Sequence, residues 1–354
     1  MPRPSRNSRS NNRRPRERPQ TEQRMGQAFE EQLFPEPAAI KREQPSEGGQ
    51  KPSTNSEQPM GRQPQRRPRS EFKLTGTEAD DVLRGDDSDN TYQAGGGDDL
   101  LLASPGNNTV IGGDGNDRLS YEALTGPITL IRGGNVLKAD GSIDTRPDLS
   151  IETMIGARGE RNGIDASGGS TASVDVDLSK KRLRINGLPV VGSASITVKR
   201  FANVIGSEVS DTLSGHYGGN DLNGSAGDDI LIGLGGADRL TGGAGADTFK
   251  FSPGDSSPRR FDKITDLEIG SDQIMGWNKI ESVTQTGSTN SLKRKALSSI
   301  LSSTDFRAND AASFSMGERT VIAMNDRRDG FQRNSDTLIE ITGFTGNLAD
   351  LSII

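Results

Sequence analysis

The stretch GGDGNDRLS, residues 112–120, sets three glycines and two aspartates ahead of a single leucine. Nine residues before it stands ASPGNNTVI (103–111), and before that AGGGDDLLL (94–102), GDDSDNTYQ (85–93) and GTEADDVLR (76–84). The step returns further on in GSEVSDTLS (206–214), GHYGGNDLN (215–223), GSAGDDILI (224–232), GLGGADRLT (233–241) and GGAGADTFK (242–250). In register, the eighth position is apolar throughout: Leu83, Tyr92, Leu101, Val110, Leu119, Leu213, Leu222, Leu231, Leu240 and Phe249. The sixth is always Asp or Asn: Asp81, Asn90, Asp99, Asn108, Asp117, Asp211, Asn220, Asp229, Asp238 and Asp247.

One apolar residue in nine cannot make a helix face, and a three-residue strand cannot stand alone. The units must therefore stack, with their eighth positions in a shared narrow interior. Glycine supplies the positive φ and close backbone approach that the intervening turns need. Stacking sets one sixth-position side chain above another, and a column of carboxylates repels itself. Ca²⁺ answers that problem, because it takes six to eight carboxylate and carbonyl oxygens in flexible geometry, whereas Mg²⁺ demands a tighter octahedron and keeps its waters. So little apolar surface does not offset the ordering of glycine-rich turns, and metal-free arrays are expected to be largely unfolded.

These ten units resemble the hemolysin-type (RTX) calcium-binding family. The resemblance implies an all-β fold, a parallel β-roll (β-solenoid) with calcium-filled turns. Successive units would alternate between two sides, with each Ca²⁺ between units n and n+2 of one side. Carried onto this sequence, it makes the ten sixth-position residues the metal ligands. The odd-numbered units offer Asp81, Asp99, Asp117, Asp211, Asp229 and Asp247. The even-numbered units offer Asn90, Asn108, Asn220 and Asp238. An amide oxygen ligates calcium without charge, so four strong sites and two weaker ones are expected, unless Asp86, Asp87 or Asp89 compensates.

The rest of the chain divides around the arrays (71–120 and 206–250). With 30% hydrophobic and 4% aromatic residues, 354 residues cannot share one ordinary core. Residues 1–70 carry 15 Lys+Arg against 8 Asp+Glu, and their Pro/Arg/Gln-rich composition reads as a disordered basic arm. Its Arg13, Arg14, Arg16 and Arg18 lack neighbouring aromatics to stack bases, which argues against nucleic acid as a partner. There is no cysteine, hence no disulfide framework or thiolate site. No signal-peptide pattern and no membrane-spanning run is evident.

Residues 121–205 read as a charged, β-rich insertion on the same solenoid. The segments from Asp148 and Ile196 are weak copies of one another, the first with Arg161 where the register expects Asp. Asn186-Gly187 reads as a hairpin turn. Residues 251–354 read as a β-rich cap. Asp262, Ile264, Asp266 and Gly270 resemble the segment that follows the repeats in secreted members of the family, with Leu267 for a customary Phe. Thr320–Leu348 resembles the cyanobacterial bluetail domain, and Ala349–Ile354 resembles an uncleaved type I secretion signal or, equally, an ordinary terminal strand.

No enzyme is legible. The single histidine, His216, falls in a repeat turn, and there is neither an H-E-x-x-H helix nor a G-x-S-x-G elbow. The expectation is a secreted or surface-associated, extracellular calcium-binding protein with a structural or adhesive role, exported by a type I secretion apparatus. The alternative is an accessory module that binds an acidic polysaccharide through basic residues such as Lys180–Arg184. A pore-forming role lacks an apolar segment to carry it.

Overall fold

Three-residue strands form where the repeat register places them. Val82–Arg84, Leu100–Leu102 and Arg118–Ser120 pair in parallel, with Leu83, Leu101 and Leu119 in line. On the opposite side Asn90–Gly96 pairs with Thr109–Asp114, with Tyr92 beside Val110. Strand partners are therefore eighteen residues apart, and one turn of the coil consumes two nine-residue units. Side chains alternate across each strand: in Ile230–Ile232 the central Leu231 is fully buried while Ile230 is 40% exposed. This is the parallel β-roll expected from the repeats. The computed structural model describes residues 72–354 apart from 149, 169–170, 189–191, 281 and 352, so the basic arm lies outside the described residues.

The odd-numbered units of both arrays belong to one eleven-stranded sheet. Leu213, Leu231, Phe249 and Ile274 line up along it as Leu83, Leu101 and Leu119 do at its other end. The two arrays thus share one roll. On the even-numbered side Phe72–Thr75, Asn90–Gly96 and Thr109–Asp114 form a three-stranded sheet, while the rest joins a twelve-stranded sheet. The break falls where residues 131–146 fold back as the antiparallel strands Val136–Lys138 and Ile143–Asp144. The gap is bridged by Thr109 and Thr145.

The insertion continues the roll. The two weak copies stack on each other, Met154 beside Val198 and Ile164 beside Val204. Between them and the second array, Ser173–Asp177, Arg182–Leu188 and Gly192–Lys199 add an antiparallel meander to the eleven-stranded sheet. Asn186-Gly187 is not its turn. The two residues sit inside the strand Arg182–Leu188 at a register shift, where Gly187 at φ +81° makes a bulge. The first reversal is instead at Leu178–Lys181, closed by the Lys181 N–H to the Leu178 carbonyl.

The eighth-position residues share one buried cluster that runs from Tyr92 through Met154 and Val198 to Phe249, Ile274 and Ile353. Beyond the second array, Asp262–Ile264 pairs with Thr337–Ile341, which carries the antiparallel strands Arg319–Met324 and Ala311–Met316. A second cluster around Phe306, Phe314 and Phe331 packs beneath the helix Arg294–Ile300. Ile353, near the chain end, is fully buried and bridges Ile274 and Ile280. No helix among the described residues is long and apolar enough to cross a membrane.

Candidate metal-binding turns

Each sixth-position side chain lies at the mouth of a strand, where the turn narrows, and nine of the ten are buried. Only Asp81, on the first rung, is half-buried. The column is held by a repeated bond, in which a backbone N–H donates to the side chain eighteen residues ahead. On the odd side Asp81 donates to Asp99 (2.8 Å), Asp99 to Asp117 (2.9 Å), Asp211 to Asp229 (2.7 Å) and Asp229 to Asp247 (2.9 Å). On the even side Asn90 donates to Asn108 (3.0 Å) and Asn220 to Asp238 (2.7 Å). The structure thus assembles all ten candidates into columns.

The columns also extend beyond the ten. Asn108 donates to Asp144, Asp117 to Glu152 (2.7 Å), Asp238 to Asp262 (2.8 Å) and Asp247 to Asp272 (3.0 Å). Asp262-Lys263-Ile264 and Asp272-Gln273-Ile274 repeat the spacing of positions six and eight, a signal present in the sequence. Asp144 carries none, because a long excursion separates it from its rung. In the weak copy the rung residue is Asn162, not position 161. Asn162 is fully buried and donates its amide to the Ala157, Glu160 and Arg200 carbonyls, while Arg161 points outward to the Gly219 carbonyl and Asn203.

What the second carboxylate oxygen meets depends on position two of the same turn. In the first unit of each array, the position-two N–H donates to the sixth-position carboxylate: Thr77 to Asp81 (2.6 Å) and Ser207 to Asp211 (2.5 Å). Later units differ. Position two turns left-handed at Gly95 (φ +108°), Ser225 (φ +80°), Leu234 (φ +63°) and Gly243 (φ +105°). In these units Oδ2 of Asp99, Asp229, Asp238 and Asp247 is buried without a hydrogen-bond donor, as is Oδ2 of Asp262. An ionised oxygen so placed costs more than the about 1–3 kcal/mol of a neutral buried group unless a cation meets it. Ser225 and Leu234 hold this backbone despite their side chains, so glycine alone does not mark the open turns.

Around these oxygens the neighbouring turn supplies carbonyls. A Cβ on Gly224 would fall 2.1 Å from Asp229 Oδ2 and 2.5 Å from the Gly242 carbonyl oxygen. One on Gly206 would fall 2.4 Å from Asp211 Oδ2 and 2.5 Å from the Gly224 carbonyl. At Gly206 and Gly224 carboxylate and carbonyl converge on position one, which glycine holds in eight of the ten units and alanine in the other two, Ala94 and Ala103. Carbonyls of positions two and four also face the next turn on the same side, Ser225 toward Gly243 and Gly227 toward Gly245. Among the described residues no three His, Asp or Glu side chains form a metal cluster. The donor set is therefore a carboxylate with backbone carbonyls from two turns, an all-oxygen set of the kind a hard, flexible cation takes.

The electrostatics follow the same division. Burial raises the Asp229 carboxyl to about 7, with the Asp211 and Asp247 charges adding to it. Burial raises Asp247 to about 6. Asp99 is raised by burial, and so are Asp238 and Asp262, the latter further by its neighbour's charge. The columns are thus poised to take up positive charge, as protons or as metal. The residues present fit calcium: Asp99, Asp117, Asp229, Asp238, Asp247 and Asp262 would hold it, and its two charges would offset the stacked carboxylates.

Residues 73–101, 93–123 and 214–249 match the RTX calcium-binding nonapeptide repeat, in four copies. The arrays are RTX repeats, and the match stops at residue 249. No curated protein matches the chain. Among solved structures, the extracellular lipase LipA from Serratia marcescens aligns at a TM-score of 0.21 and 15% identity, over 78% of this chain and 38% of the lipase. The chain thus spans well under half of that protein's length.

Proposed function

We propose that this protein works outside the cell, secreted or held at the surface, as a structural or adhesive element whose roll folds when calcium enters its turns. The observation that carries this reading is the set of buried carboxylate oxygens without donors at Asp99, Asp229, Asp238, Asp247 and Asp262. A chain with these columns is poorly stable where free calcium is scarce and stable where it reaches the roughly 10⁻⁴ to 10⁻³ M range of extracellular modules. Export before folding suits a type I apparatus that reads the segment Ala349–Ile354. The role is one of binding and support, with no catalytic step.

A strain that carries a type I secretion apparatus and produces the full chain tests the proposal by fractionation. The chain is expected in the medium or on the surface, with the surface fraction released by chelator. A chain retained inside the cell in a folded, chelator-insensitive form would overturn it.

A second reading, binding of an acidic polysaccharide, moves to a different surface. Lys180 pairs with Asp177 (2.8 Å) and Arg182 with Asp175 (3.0 Å), so much of the segment Lys180–Arg184 is already neutralised. Arg259, Lys293, Arg294 and Arg333 instead line one cavity of about 480 Å³ in the cap. No carboxylate among the described residues pairs with any of the four. Retention on an alginate or pectate column that disappears on replacing two of these cations would favour it.

A further inference from the structure

The even-numbered side of the first array departs from the other columns. None of its rung oxygens is left without a donor, although Asn90, Asn108 and Asp144 are as buried as their counterparts. Asn90 Nδ2 donates to the Ser88 carbonyl (2.6 Å), the Asp86 carbonyl (3.1 Å) and Ser104 Oγ (3.0 Å). Asn108 Nδ2 donates to the Ser104 carbonyl (3.0 Å) and to Asp144 Oδ1 (2.8 Å). The other oxygen of Asp144 accepts the Tyr121 hydroxyl at 2.9 Å. Donors from the chain itself therefore occupy the acceptors that a cation would use.

One of those donors is a cation. The ammonium of Lys138 is buried and donates to the Ser104 carbonyl (3.0 Å), to the Gly106 carbonyl and to Asp144 Oδ1. Ser104 and Gly106 hold positions two and four of their unit, the positions whose carbonyls face the next turn elsewhere in the roll. Asp144 is the next rung. An ammonium has three donors and no acceptor, and here all three find oxygens of the kind that surround the open turns of the other columns. The charges agree: this column carries two neutral amides, one carboxylate and one ammonium. The odd column beside it stacks Asp81, Asp99 and Asp117.

We propose that the even-numbered side of the first array takes no calcium, and that the Lys138 ammonium stands in the ion's place, delivered by the loop of residues 131–146. This departs from the expectation of a weaker site at Asn90 and Asn108, and it rests on the reading that the remaining columns bind calcium. The roll is then a composite. One column is closed by the chain's own charge and the others wait for the metal.

Equilibrium dialysis with calcium on the full chain tests the proposal by counting ions bound at saturation. Asp99→Asn is expected to bind at least one ion fewer than the native chain, and Asn90→Ala as many ions as the native chain. Lys138→Gln, which vacates three oxygens, is expected to bind one ion more, whereas Lys138→Arg, which keeps the charge, binds no more than the native chain. Loss of as many ions in Asn90→Ala as in Asp99→Asn would overturn the proposal, as would an unchanged count in a folded Lys138→Gln. If Lys138→Gln does not fold in saturating calcium, the Asn90→Ala count decides. A native chain that binds no calcium at all would instead refute the calcium reading on which the proposal rests.

Discussion

Leu231→Ala removes an eighth-position side chain from the middle of the second array. Leu231 is fully buried, with Leu213 on one side and Phe249 on the other in the same parallel register. The rungs above and below hold the backbone in place, so the roll cannot collapse onto the space left. The expected loss is about 2–5 kcal/mol, the range for a buried leucine truncated to alanine. When folding is coupled to about four ions, each tenfold rise in free calcium adds roughly 5.5 kcal/mol to the folded state. The calcium midpoint for folding should therefore rise about two- to eight-fold. Ile230→Ala, one residue away on the outer face and 40% exposed, should shift it by less than about 1.3-fold. Circular dichroism during calcium titration of both variants reads the shift. Equal shifts for the pair, or no shift for Leu231→Ala, would refute the assignment of position eight to a load shared along the interior.

Other consequences follow from the turns. Gly224→Ala places a methyl where Asp229 Oδ2 and the Gly242 carbonyl converge, so at least one calcium ion should be lost from the count obtained by equilibrium dialysis, even in chains that still fold in excess calcium. Asp229 and Asp247 have folded pKa values of about 7 and about 6, above the ordinary carboxylate value of 3.8. Protonation therefore favours the metal-free roll: this contribution is complete below about pH 4 and is lost as pH rises through about 6 to 7. Calcium competes with those protons only in the folded roll, so lowering pH from about 8 to about 5 should leave the folding midpoint level or lower it, and a midpoint that rises over that range would contradict the raised carboxyls. Asp262→Asn removes a charge from the column's last rung and should lower the number of ions bound while leaving the first array's strands intact by amide exchange.

The repeat was legible because its period is carried by residues with no other reason to recur. Leu231 and its equivalents mark the interior, and Asp229 and its equivalents mark the turns. Stacking around a shared interior follows from these alone, whereas the parallel register is what the resemblance to the RTX family implies, and Asp262 and Ile264 read as part of a cap where the structure continues the roll. What stayed hidden depends on long-range return of the chain. Lys138 and Asp144 lie 30 or more residues from Asn108 in sequence, and only the fold of the insertion brings them to its rung. The backbone sign at position two was equally hidden, because Ser225 and Leu234 adopt the same left-handed turn as Gly95 and Gly243. Asn186-Gly187 misled because a bulge and a hairpin turn want the same pair of residues, and only the pairing of Arg182–Leu188 with both neighbours separates them.

The most direct test of the account is the far-ultraviolet circular dichroism of residues 71–354, brought to low calcium with chelator and titrated with Ca²⁺, with Mg²⁺ as the control. The account predicts a cooperative gain of β structure near millimolar calcium and none with magnesium at the same concentration. A full β spectrum already present in chelator at neutral pH would contradict it, because the buried carboxylate columns would then be standing without the cation they are built to hold.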